Sequence, residues 1–189
     1  MDTAGIATQE VALRTAGAAD LDRIMVLEAA GFDPAHQEDR AVYTRRIAAF
    51  PAGALLACDG NNPWACLFAE LWEEDPAAGV NAEWFALGHD IYDRHRPGGR
   101  TLYIASMTVA PFSRGGGAGG RFFAACVDHL LRAHPSVERV LLLVNENWQP
   151  ARRIYESQGF AGIARLPGFF RPDSGVPEDG IVMMRPRAG

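Results

Sequence analysis

Apolar residues recur at two different spacings in the first fifty residues, and each spacing predicts a different element. A short run at residues 11–14 predicts a strand, whereas apolar positions three and four apart within residues 18–32 predict an amphipathic helix. Asp20 is expected to cap that helix, because aspartate accepts hydrogen bonds from the first free N–H groups of a helix. A second helix is predicted over residues 37–50 and is stopped by Pro51.

Continuous apolar runs predict strands in the rest of the chain. ALLAC at 54–58 and WACLFAELW at 64–72 are separated by the turn-rich DGNNP, which indicates a hairpin with a slightly long loop. TLYIASMTV at 101–109 and VERVLLLV at 137–144 predict buried strands, and the last strand is expected at 180–185. The alternation of strands and helices predicts one α/β domain over the whole chain, with helices on both faces of a sheet.

Residues 73–99 show no clear period and form an unusually long connection for a compact domain. This segment is rich in aromatic and histidine side chains, which disordered segments lack. We therefore expect a partly helical lid. Seven residues are candidates for the lining of an acceptor pocket, and we expect at most half of them to line it. They are Phe32, His36, Tyr43, Trp84, Phe85, Tyr92 and Phe169.

Composition and charge exclude several classes of function for this chain. The chain has 189 residues, of which 48% are hydrophobic, and 18 basic residues against 23 acidic ones give a net charge of -5. No basic tract is present, so a nucleic-acid partner is not expected. No apolar run approaches the roughly 18 residues of a membrane span, and the three cysteines have no paired spacing. We expect a cytoplasmic protein with no membrane partner and no metal site.

Five glycines within positions 115–120 open the helix that follows the strand ending at Val109. The first turn of a helix has unsatisfied N–H groups and a partial positive charge, and glycines let a bulky anion approach it. This turn therefore suits a phosphate or pyrophosphate, with Arg114 as an additional donor. The alternative is a flexible turn whose glycines only permit unusual backbone angles.

Two common phosphate-binding turns do not fit this stretch. No lysine follows the glycines, which excludes the loop of nucleoside triphosphatases. Gly115, Gly117 and Gly120 approximate G-x-G-x-x-G, but no acidic residue stands in the place that would hold a ribose. A dinucleotide-binding fold is therefore only weakly supported.

Two motifs carry a resemblance to a known family. The order strand, V-x-P, R-x-x-G-x-G, helix stands here as Val109, Pro111, Arg114, Gly117 and Gly119. The segment A-x-x-x-Y-x-x-x-G-F stands here as Ala151, Tyr155, Gly159 and Phe160. With both motifs, the sequence resembles the GNAT superfamily of N-acetyltransferases. The resemblance implies a mixed, mostly antiparallel central sheet flanked by helices on both faces, and acetyl-CoA as co-substrate.

Two subfamilies compete within this resemblance. HRPGGRTLYIASMTV is similar to a segment of the arylalkylamine N-acetyltransferases, which favours a small amine acceptor. GFFRPDSGVPEDGIVMM is similar to the closing segment of ribosomal-protein alanine N-acetyltransferases, which favours a peptide N-terminus. The resemblance leaves both acceptors open. An exposed sheet edge near the C-terminus would allow a homodimer, which nothing in the sequence requires.

The resemblance also implies which residues hold acetyl-CoA. Backbone N–H groups of the central strand would hold the thioester carbonyl and the pantetheine, at Met107, Thr108 and Val109. The pyrophosphate would lie on the loop formed by Arg114, Gly115, Gly116, Gly117, Ala118 and Gly119. Asn147 is expected either to reach the CoA or to serve only as a loop or capping residue.

Acetyl transfer requires a proton for the departing thiolate and a neutral amine. By resemblance, Tyr155 is the general acid near the sulfur. The central-strand positions that supply a base in relatives are Tyr103 and Ala105 here, and neither is a ready base. Glu70, or a lid histidine, His89 or His95, is the candidate for that role, and an amine can also lose its proton to bulk water.

The resulting hypothesis is an acetyl-CoA-dependent N-acetyltransferase that moves an acetyl group directly to the primary amine of a small molecule. The alternatives are a protein N-terminal acetyltransferase of the ribosomal type, and a non-catalytic acyl-CoA-binding module that has lost its base. A third, weaker alternative is an interaction domain in which the glycines only form a turn.

Overall fold

The computed structural model describes residues 11–173 and 175–187, and one sheet of seven strands organises them. The strands are β1 (Leu13–Thr15), β2 (Ala54–Asp59), β3 (Asn62–Trp72), β4 (Thr101–Val109), β5 (Arg139–Asn145), β6 (Ala161–Phe170) and β7 (Glu178–Pro186). The helices are α1 (Leu21–Gly31), α2 (Arg40–Ala49), α3 (Ile91–Arg94), α4 (Ala118–Ala133) and α5 (Gln149–Ser157). The strand order is β1-β2-β3-β4-β5-β7-β6, and every pair is antiparallel except the parallel pair β4–β5. This mixed sheet with helices is the fold that the sequence predicts.

Helices cover both faces of the sheet, as the sequence predicts. The apolar stripe of α4, with Phe122 and Phe123, packs on one face in a buried cluster that includes Leu67 and Leu102. On the other face, α1 and α2 contribute a second cluster with Phe68 of β3. Because side chains alternate along a strand, the two clusters use alternate positions of the same strands.

The parallel pair β4–β5 separates half-way along its length. The two strands pair only from Thr101↔Arg139 to Ile104↔Leu142, although β4 continues to Val109 and β5 to Asn145. Ala105 is an extra, unpaired residue between the partners of two consecutive β3 residues. Such a bulge bends its strand. The bend and the lost pairing open a wedge between the two strands.

Several predicted boundaries differ from the observed ones. The first strand and the second helix are shorter than predicted, and the β2–β3 turn is tight, because Asp59 pairs directly with Asn62. Asp20 occupies the N-cap position of α1 as predicted, but its side chain makes no capping hydrogen bond to that helix. Its carboxylate instead accepts from the Gly17 N–H at 2.9 Å and from the Arg14 guanidinium.

The strand β6 is absent from the sequence-based prediction. Its sequence AGIARLPGFF contains a proline and two glycines, and its register against β7 shifts twice. Proline and glycine lower strand propensity and are tolerated at a sheet edge. β6 lies at such an edge, where it pairs only with β7.

Residues 73–99 form a partly helical segment, as predicted, with two 3₁₀ turns before α3. Phe85 is buried in a third apolar cluster with Trp72 and Tyr103, which fixes the segment on the sheet. Within residues 11–173 and 175–187, no helix combines the length and the apolar character needed to cross a membrane.

Candidate active site

A cavity of about 1150 Å³ occupies the wedge between β4 and β5. Its lining comes from the C-terminal half of β4, the end of β5, the glycine turn, α5, the end of α1 and the lid. The cavity therefore joins two sets of groups, those around the glycine turn and those beside α1. Concave, largely apolar cavities of this size with a few convergent polar groups are typical ligand sites.

The glycine turn adopts backbone angles that favour glycine. Gly115, Gly116 and Gly117 have φ values of 98°, 54° and 75°, in the left-handed region, and Gly117 is the residue that precedes α4. Gly119 lies against α5, where an added Cβ would stand 3.3 Å from Ile154 Cδ1. Gly117, Ala118, Gly119 and Gly120 line the cavity and carry almost no side-chain bulk, so a ligand can approach the first turn of α4 closely.

Arg114 is positioned mainly by backbone carbonyls. Its Nε donates to the Val109 carbonyl at 3.1 Å, and its Nη2 donates to the Ala30 carbonyl at 3.3 Å. It thus bridges the ends of β4 and α1 while its side chain lines the cavity. Two further cations that the sequence analysis did not select, Arg121 and Arg153, also line this part of the cavity. The signal that could have found Arg121 is its place in the first turn of a helix that opens with glycines.

The predicted backbone donors of the central strand lie in the wedge. Met107, Thr108 and Val109 line the cavity on the half of β4 that no longer pairs with β5. A strand edge of this kind presents N–H and C=O groups that an extended amide-containing chain can bond. The geometry suits a pantetheine arm.

Tyr155 lines the cavity from α5, and its ring packs on Phe123 at 5.0 Å between centroids. No hydrogen bond to its hydroxyl comes from residues 11–173 or 175–187. Burial raises the pKa of Tyr155 to about 12. The hydroxyl is therefore protonated at neutral pH and is able to donate.

Asn147 lines the cavity, but its side-chain amide donates to Glu178 Oε1 at 2.9 Å, and its N–H donates to Asn145 Oδ1. Glu178 thereby ties the loop after β5 to the start of β7. The position three residues before Ala151 is Trp148, whose ring packs on Phe32 at 5.4 Å and on Phe170 at 5.3 Å. Trp148 helps to form an aromatic wall at the end of the cavity beside α1.

Three of the seven predicted acceptor-pocket candidates line the cavity: Phe32, His36 and Phe85. Tyr92 is 59% exposed, and Trp84 lines a separate, smaller pocket of about 460 Å³ with Glu74. The part that these three residues play in binding an acceptor stays a prediction.

Glu70 is fully buried on β3 and is not one of the described residues that line the cavity. Its carboxylate accepts from Trp72 Nε1 at 2.9 Å, lies 3.0 Å from His89 Nε2 and lies 3.6 Å from Arg46 Nε. Burial favours the neutral acid, but His89, Arg46 and Trp72 outweigh it and lower the pKa of Glu70. Burial alone would lower the pKa of His89, but the hydrogen bond to Glu70 and the negative charge of Glu70 raise it. Glu70 anchors the lid through His89, and its role as a base stays a prediction.

Glu28 and Glu38 are buried carboxylates that do line the cavity. The Glu28 carboxylate accepts from the Tyr43 hydroxyl at 2.6 Å and from the Glu38 N–H at 2.9 Å, whereas the Glu38 carboxylate is paired with Arg46. Burial raises the pKa of Glu28. Neither residue is identified from the sequence, because an acid within a predicted helix is expected to face solvent unless the packing is known.

Residues 21–160 match the model of the family described as the acetyltransferase (GNAT) family. The match covers well over half of the chain. The chain belongs to the GNAT family of acetyltransferases. No curated protein is similar enough in sequence to match.

Solved structures share the fold at low sequence identity. One is the GphF GNAT-like decarboxylase in complex with isobutyryl-CoA (18% identity, 93% of this chain and 98% of that chain, TM-score 0.76). A second is the ribosomal-protein-S18-alanine N-acetyltransferase from Escherichia coli (16%, 94% and 96%, 0.64). A third is Arabidopsis thaliana Naa50 with a bisubstrate analogue, CoA-Ac-MVNAL (19%, 93% and 98%, 0.66). At these identities the likeness establishes the fold, and these neighbours differ in reaction.

Proposed function

We propose that this protein is an acetyl-CoA-dependent N-acetyltransferase that transfers an acetyl group directly to the primary amine of a small molecule. The observation that carries the proposal is the continuity of the cavity. One space joins the glycine turn and Tyr155 to the buried carboxylates of Glu28 and Glu38. A thioester and an amine can therefore meet without leaving the protein, as direct transfer requires.

The residues around the wedge fit acetyl-CoA. The first turn of α4 offers free N–H groups to a pyrophosphate, and the nearby Arg114, Arg121 and Arg153 supply positive charge. The unpaired edge of β4 offers backbone groups to the pantetheine. Tyr155, which is protonated at neutral pH, is placed to give its proton to the thiolate as the C–S bond breaks.

The other end of the cavity fits a cationic amine with an apolar body. The buried carboxylate of Glu28 attracts an ammonium group, whereas Glu38 is already paired with Arg46. The wall at this end is aromatic, with Phe32, Trp148 and Phe170. Phe85 and Leu87 of the lid also line this space. A lid over the acceptor end favours a small molecule over the N-terminus of a long peptide.

Acetylation of a protein N-terminus is the second candidate. It is supported by the similarity in fold to Naa50 and to the Escherichia coli ribosomal-protein enzyme. A peptide would have to enter past the lid segment that contributes Leu87, which is 48% exposed. The two candidates differ in the acceptor alone, so one assay separates them.

The deciding experiment measures free-thiol release from acetyl-CoA with arylalkylamines, polyamines, amino acids and peptides that start with alanine. Turnover with a small amine, reduced about 10²- to 10⁴-fold in Tyr155→Phe, is the expected result. Turnover with peptides alone would favour the N-terminal acetyltransferase. Tight CoA binding without turnover on any acceptor would favour a binding module.

The glycine turn gives a separate test of CoA binding. Gly117→Val places a branched side chain at a φ of 75° and within 3.2 Å of the Arg121 guanidinium, at the proposed pyrophosphate site. We expect a loss of CoA affinity of at least about tenfold, measured by calorimetry, in a variant that keeps its circular dichroism spectrum. Gly175→Val is the control, because Gly175 also has a positive φ but lies in another loop. Unchanged CoA affinity in folded Gly117→Val would contradict the proposed pyrophosphate site.

A further inference from the structure

The central strand β4 carries no base at Tyr103 or Ala105, and the bulge at Ala105 changes the side of the sheet to which the next side chain belongs. Ala105 is the extra residue, so Ser106 pairs with Phe68 and its side chain reaches the side of the sheet that α1 and α2 cover. Ser106 lines the cavity. A hydroxyl thus lies on the cavity wall beside the unpaired edge of β4.

Two hydrogen bonds connect this hydroxyl to a buried carboxylate. Ser106 Oγ is 3.4 Å from the Tyr43 hydroxyl, and the Tyr43 hydroxyl is 2.6 Å from Glu28 Oε2. A tyrosine hydroxyl has one proton, and the short contact to a carboxylate uses it. Ser106 must therefore donate to Tyr43, which leaves the lone pairs of Ser106 Oγ free to accept a proton from the cavity.

From this geometry we propose that Ser106 and Tyr43 form a proton relay that carries the proton of the acceptor ammonium to Glu28. This inference rests on the proposed function, because it names the base for the same reaction. As the amine N–H bond breaks, Ser106 Oγ gains the proton and passes its own to Tyr43, which passes its own to Glu28. The Glu28 carboxylate becomes a carboxylic acid, and the neutral amine is free to attack the thioester.

The packing around Glu28 supports this role. Gly31 lets the end of α1 approach β4 closely, because a Cβ there would stand 2.5 Å from Thr108 Cγ2. The groups that face Glu28 are the Tyr43 hydroxyl, the Glu38 N–H and carboxylate, Arg46 and the Cys66 thiol. Arg46 is paired with Glu38, and burial raises the pKa of Glu28. A carboxylate with a raised pKa is a stronger base than an exposed one.

The test compares Glu28→Gln, Ser106→Ala and Tyr43→Phe with the wild type on the best small amine over a range of pH. At neutral pH we expect kcat/KM to fall about 10²- to 10⁴-fold in Glu28→Gln and at least about tenfold in Ser106→Ala. The deficits should shrink as pH rises, because an amine that is already neutral in solution needs no base. A merely structural role would give a deficit that does not change with pH.

The controls separate the relay from the proposed function. Asp22→Asn changes an exposed acid on the same helix and should keep wild-type kinetics. CoA affinity should be unchanged in all variants. Wild-type rates in folded Ser106→Ala and Tyr43→Phe, with or without a deficit in Glu28→Gln, would overturn the relay alone. Absence of turnover by the wild type on every amine would overturn the proposed function and the relay together.

Discussion

Glu28 on α1 and Glu70 on β3 are both almost completely buried, on the side of the sheet that α1 and α2 cover, yet their pKa values shift in opposite directions. Glu28 has neutral donors, a hydroxyl and an N–H, and its pKa is raised by burial. Glu70 has Arg46 and His89 beside it, and their positive charge lowers its pKa. Burial therefore does not decide the role of an acid, because the charge of its neighbours sets the direction in which its pKa shifts.

The opposite shifts have opposite consequences for stability. A buried acid with a raised pKa costs stability when it is ionised, and the same feature makes it a good proton acceptor. A buried acid whose pKa is lowered by cations stabilises the fold as long as it is ionised, but it is a poor base. We therefore expect substitutions to affect catalysis at Glu28 and folding at Glu70.

The largest effect on stability is expected from Arg46→Met, because Arg46 is the cation shared by Glu38 and Glu70. Its side chain is 2% exposed, and its removal leaves the buried Glu38 without its counter-charge and the buried Glu70 with His89 alone. We expect a loss of about 3–5 kcal/mol in the free energy of unfolding, measured by urea denaturation. Arg40→Met removes an exposed pair with Asp22 and should cost less than about 1 kcal/mol. Equal losses in the two variants would remove the distinction between buried and exposed pairs.

A smaller effect on stability distinguishes Glu70 from Glu28. Glu70→Gln leaves Arg46 and His89 with less counter-charge and should cost about 1–3 kcal/mol of unfolding free energy. Glu28→Gln replaces a carboxylate that is costly to ionise with a neutral amide of the same shape, so its cost should stay below about 1 kcal/mol. Denaturation of both variants at pH 7 makes the comparison, and the reverse order of stabilities would contradict it.

The smallest expected effect is a pH dependence of the unfolding free energy. The pKa of His89 is raised, so its contribution to stability is complete below about pH 6.5 and is lost as pH rises through its folded-state pKa. The pKa of Glu70 is lowered, so its contribution is complete above its ordinary pKa and is lost as pH falls through the folded-state value. The unfolding free energy of the wild type minus that of His89→Gln should therefore decrease as pH rises above about 6.5. A difference that is constant with pH would contradict the ion pair.

Much of the fold could be predicted from the sequence. The period of the apolar residues identified six of the seven strands and the long helix α4, because the core-facing positions of these elements are continuous in sequence. β6 was missed, since its pairing with β7 overrides a weak local preference. The glycine turn and Tyr155 were found through short motifs, where the residues that act together are also close in the chain.

The proposed base and the proposed acceptor end of the cavity depend on the tertiary structure alone. Glu28, Tyr43 and Ser106 lie on three elements, and only the packing of α1 and α2 on β4 brings them together. Even the place of Ser106 depends on a bulge, because one extra residue changes the side chains that follow it from one face of the sheet to the other. The sequence by itself determined most of the elements, the family resemblance and the glycine turn, because these follow from neighbours along the chain. The proton acceptor follows from neighbours in space, and its charge state depends on which of them are cations.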